Sequence, residues 1–75
     1  MQLLDTLTAD TATSFGVLIT AGGVPYSFHV SSEKDVRELV AGSSEITALQ
    51  VTAQRDNNYR TLSDSEVLAL LVFSN

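Results

Sequence analysis

Cysteine and tryptophan are missing from this sequence of 75 residues, and proline and histidine occur once each. Without cysteine there are no disulfide staples and no thiolate metal ligands, and a single histidine does not furnish a structural zinc site. Cations are scarce as well. Four Lys and Arg against nine Asp and Glu give a net charge of −5, which repels phosphate backbones and argues against nucleic acid as a partner. The carboxylates are dispersed along the chain and form no phosphate-mimicking face. Long apolar runs are also lacking. The longest, VLALLVF at residues 67–73, is far short of the about 20 residues that cross a bilayer. The opening MQLLDTLTADT has neither the basic flank nor the apolar stretch of a signal peptide. The expectation is one cytoplasmic domain over residues 1–75, with no cofactor, no metal and no membrane association.

What is present is an ordinary globular hydrophobic content of 44%. A chain this short lies near the lower limit at which a hydrophobic core alone sustains a fold. With nothing except packing to stabilise it, further burial through self-association is an available solution.

The clearest local signal is SFGVLITAGGVPYSFHV, residues 14–30. If Gly22 and Gly23 form a two-residue type I′ turn, Ala21 faces Val24 and the register follows by counting outward. Ile19 then meets Tyr26, Val17 meets Phe28 and Phe15 meets Val30, all on one face. Thr20 with Pro25, Leu18 with Ser27 and Gly16 with His29 fall on the other, smaller and more polar face. Pro25 lands where its missing N–H points outward, which suits an edge strand.

After this hairpin, Ser32 with Asp35 resembles a capping box, and Val36, Leu39 and Val40 make an apolar stripe at helical spacing. Glu33 and Asp35 suit the helix start, and Gly42 suits its C-terminal cap. The solvated side carries Lys34, Arg37 and Glu38. Alternation returns with Leu49, Val51 and Ala53 against Gln50, Thr52 and Gln54. Asp56, Asn57 and Asn58 provide a tight loop, and residues 59–62 run back as a short strand. Ser63 with Glu66 then satisfies a second capping box, with Leu62 and Val67 as its hydrophobic staple, and predicts a helix from residue 64 to about 73. By composition the same stretch also makes an acceptable buried strand. The first ten residues fit a helix or a strand, anchored by Leu3, Leu4 and Leu7. The predicted fold is α+β in the order ββαββα, a four-stranded antiparallel sheet with two helices packed on one face. The two capped helices also hint at an internal repeat of about thirty residues.

No residue pattern marks catalytic chemistry. His29 is the natural starting point for acid–base work near neutrality, but it has no sequence-local nucleophile to activate. The AGG stretch precedes a strand and is no phosphate loop. RDNNYR, residues 55–60, gathers Arg55, Tyr59 and Arg60 at an expected tip, residue types enriched at protein interfaces. In the last helix Val67, Leu70 and Leu71 form the inward stripe, leaving Leu68, Val72 and Phe73 for other faces. A helix apolar on all sides is normally buried on all sides.

The sequence therefore points to a non-enzymatic protein-binding module, a self-associating accessory or inhibitory protein. Its expected interface is Leu68, Val72 and Phe73, with Arg55, Tyr59 and Arg60. One alternative is a regulatory domain that binds a small molecule at a subunit interface, and another is a compact hydrolase or isomerase using His29. Residues 1–10 offer a competing cover for the last helix within one chain.

Overall fold

Gly22 and Gly23 both adopt positive φ, 58° and 81°, the conformation a type I′ turn demands of its two central residues. They join β1 (Ser14–Ala21) to β2 (Val24–Val30) in the computed structural model, which describes residues 7–72. The register is the one counted from the turn: Ala21 faces Val24, Ile19 faces Tyr26, Val17 faces Phe28 and Phe15 faces Val30. Helix α1 (Glu33–Ala41), strands β3 (Ile46–Arg55) and β4 (Asn58–Thr61), and helix α2 (Asp64–Val72) follow, so the order is ββαββα.

The sheet runs β2-β1-β3-β4, antiparallel throughout, with β1 and β3 in the middle. Alternation on the two central strands builds the core. Phe15, Val17 and Ile19 are buried on β1, and Val51 and Ala53 on β3. Val36 of α1 with Val67 and Leu70 of α2 cover them, joined by Leu62 and by Leu7 from the N-terminal segment.

Both helices begin as their caps require. The Ser32 hydroxyl accepts from the Asp35 amide at 3.1 Å. At α2 the box is reciprocal: the Glu66 amide donates to Ser63 Oγ at 3.3 Å, and the Ser63 amide donates to Glu66 Oε1 at 2.9 Å. Gly42 caps α1 with φ −84°, without the left-handed turn a glycine permits. Left-handed backbone appears instead at Asp56, φ 56°, in the β3–β4 turn, and at Glu45, φ 57°, just before β3. There the β1–β3 register slips between Thr20 and Ala21, a bulge that leaves Thr47 over, with its hydroxyl donating to the Thr20 carbonyl.

Residues 1–6 and 73–75 lie outside the described residues. Leu3, Leu4 and Phe73 are among them. Leu7 is buried, and it is followed by a turn in which the amides of Thr11 and Ala12 donate to the Thr8 carbonyl. No helix among the described residues is long and apolar enough to cross a membrane.

Candidate functional site

The staple and capping box fix the rotation of α2 about its axis, and that rotation decides which of its apolar residues reach the core. Val67 and Leu70 are buried and Leu71 is half-buried. Leu68 and Val72 face away, 61% and 66% exposed. The helix carries Asp64 and Glu66 in its first turn and no cation in its last.

The 55–60 segment divides. Tyr59 stands 65% exposed on the face away from the helices, opposite Gln54. Arg60 faces the helix side, opposite Ala53. Its guanidinium forms a two-pronged ion pair with Glu66 and donates through Nε to the Leu7 carbonyl. Arg60 is thereby committed within the chain, tying β4, α2 and the N-terminal segment together. The guanidinium and then the Ser63 amide hold the Glu66 carboxyl down at about 2, and the pair raises Arg60 above its ordinary value. Arg37 has a comparable role. It reaches from α1 to donate to the Leu70 carbonyl of α2 at 3.1 Å, and pairs with Glu33 at 3.8 Å. A cation from α1 thus serves the C-terminal half of α2, which has none of its own.

Among the described residues, the sheet face away from the helices bears no second layer. His29, Ser14 and Gln54 meet there, on three adjacent strands. Gln54 of β3 reaches across β1 at Gly16, where an added Cβ would lie 3.2 Å from its Nε2. Its Oε1 is 2.9 Å from His29 Nε2 and accepts from Ser14 Oγ at 3.2 Å. The imidazole and the Ser14 hydroxyl thus converge on one side-chain amide. Among the described residues no carboxylate joins the three.

The described residues also line two depressions. A depression of about 250 Å³ lies over Gly16 between Leu18, Ser27, Gln50 and Thr52 on the uncovered sheet face. A second, about 430 Å³, lies between residues 8–10, α1 and α2. Arg37 and Glu66 line it, both already engaged. Among the described residues no group of three or more acidic or histidine side chains is placed to hold a metal ion.

One feature escaped the sequence reading. Tyr26 and Phe28 share a face with Ile19 and Val17 as expected, yet they remain 47% and 38% exposed, because the described helical layer lies over β1 and β3 and reaches β2 only at Val30. The only sequence signal for this was Pro25, which marked the edge. No family model, curated protein or solved structure matches this chain.

Proposed function

We propose that this chain is a non-enzymatic protein-binding module that self-associates through the outward side of α2, in an accessory or inhibitory role. The observation that carries this reading is the exposure of Leu68 and Val72 one turn apart on a helix whose opposite stripe is already in the core. Leaving such side chains in water forgoes about 1.5–3 kcal/mol each relative to full burial, a large share of the stability of a small domain. A second copy, related by a two-fold axis, offers the same stripe in return. Tyr59 adds an exposed aromatic at the β3–β4 turn.

The ligand-site and enzyme alternatives each need an enclosed cavity with convergent polar groups. The depression near His29 is open and lined by side chains of a flat sheet face, and the partner of His29 is an amide, which favours the binding-module reading over both. The test is sedimentation equilibrium on the wild type and on Leu68→Glu. The wild type is expected to associate and the variant to lose one step of that association. A wild type that stays monomeric at high micromolar concentration would remove the proposal.

A further inference from the structure

Strand β2 ends the sheet, and among the described residues no strand pairs with its outer backbone groups. The two-residue turn makes Ala21 and Val24 a hydrogen-bonded pair, and pairs two residues apart repeat that pattern. Tyr26, Phe28 and Val30 therefore bond to β1, whereas the backbone groups of Pro25, Ser27 and His29 point out along the free edge. Pro25 contributes only a carbonyl there. The strand VPYSFHV carries no charged residue, in a chain of net charge −5. Val24, Tyr26 and Phe28 stand partly exposed on its helix-side face.

We propose that this edge binds the same edge of a second copy, antiparallel, with the two-fold axis at Phe28, so that the two sheets become one. The position of the axis follows from Pro25 and from the end of β2 at Val30, since an axis at His29 would set Ser27 against the partner's Ser31, beyond the strand. An axis at Ser27 sets Pro25 against the partner's His29, and an axis at Tyr26 sets it against the partner's Ser27; each forfeits two ladder bonds for want of the proline N–H. With the axis at Phe28, Ser27 exchanges both its bonds with the partner's His29, the reciprocal pair does the same, and Pro25 falls beyond the ladder. Phe28 then meets the partner's Phe28 in a non-hydrogen-bonded pair, where Cα atoms approach to about 4.5 Å and side chains are closest. Tyr26 lies beside the partner's Val30 on the same face, an aromatic with a β-branched residue.

Charge selects a second copy as the occupant. Each copy is acidic, so two copies approach best where neither presents charge. Strand β2 is such a strip along its whole length. Area sets the strength. The half-exposed rings of Tyr26 and Phe28 offer roughly 150–200 Å² per copy, well below the about 800 Å² per partner of a stable interface. Ladder bonds have to supply the remainder, and the contact is weak and reversible.

This contact uses none of the α2 surface, so the test is made in the Leu68→Glu background, where the α2 contact is disabled. That variant is expected to sediment as a dimer at high micromolar concentration. Adding Ser27→Pro is expected to raise its dissociation constant about tenfold or more with circular dichroism unchanged, since Pro25 shows that β2 accommodates proline at an outward position. Single cysteines report the register in a chain that has none. Under oxidation Phe28→Cys is expected to cross-link about tenfold faster than Tyr26→Cys, because only the first stands opposite itself within disulfide reach. A monomeric Leu68→Glu variant, an unaltered mass on adding Ser27→Pro, or equal cross-linking rates would each overturn the proposal. A wild type and a Leu68→Glu variant that are equally dimeric would overturn the α2 contact and support this one.

Discussion

Glu45 holds a left-handed backbone, φ 57°, where its carbonyl accepts from the Gly22 amide at 3.3 Å. A side chain in that conformation costs about 1–2 kcal/mol, and glycine gives back about 0.5–1 kcal/mol in chain entropy. Glu45→Gly is accordingly expected to stabilise the fold by about 0.5–1 kcal/mol, read as a higher midpoint in urea with an unchanged slope. Gly16 shows the opposite logic. It leaves the gap through which Gln54 reaches His29, and an alanine methyl would displace a flexible amide and not backbone. Gly16→Ala is expected to leave stability nearly unchanged while shifting the His29 ring resonances as its hydrogen bond to Gln54 is lost. Glu66 supplies the pH dependence. Its carboxyl titrates at about 2 against an ordinary 4.5, so it contributes stability that is complete above pH 4.5 and is lost as pH falls toward 2. A melting-temperature profile across that window is expected to fall for the wild type and to flatten for Glu66→Gln.

At the level of elements, α2 and the first hairpin are the parts most legible in the sequence, for the same reason. Each is specified by signals a few residues apart: Ser63 with Glu66, Gly22 with Gly23, and an apolar alternation in step with the turn. Ser63→Ala is expected to cost about 1 kcal/mol, since it removes the acceptor for the Glu66 amide. Ser65→Ala should be nearly silent, because the Ser65 hydroxyl meets only that of Ser63. Equal losses in parallel denaturant titrations would show that the helix does not depend on this cap. What stayed hidden was whatever depends on strand order. The reach of Gln54 over Gly16 to His29, the capture of Arg60 by Glu66 and Leu7, and the bare face of β2 each require knowing which strands are neighbours and which of them the helices cover. Local alternation carries neither, so the sequence placed Arg60 at a tip with Tyr59, whereas the sheet turns the two to opposite faces.

For the whole molecule, strand order governs time as well as shape. The strands at the centre of the sheet are joined by pairs such as Ser14 with Gln54, 40 residues apart, whereas the β1–β2 hairpin closes over two glycines. Bringing β1 to β3 requires closing a loop that contains β2 and α1, and such non-local pairing slows folding relative to a helical bundle of equal length. The hairpin forms by a local search, but its outer strand gains little cover. A chevron analysis is expected to separate the two. Val51→Ala, at the central pairing with Val17, should slow refolding in near proportion to its loss of stability. Tyr26→Ala, on the uncovered strand, should act mainly by speeding unfolding. The rate of assembly would thus be set in the middle of the sheet, while β2, quick to form, is quick to be released.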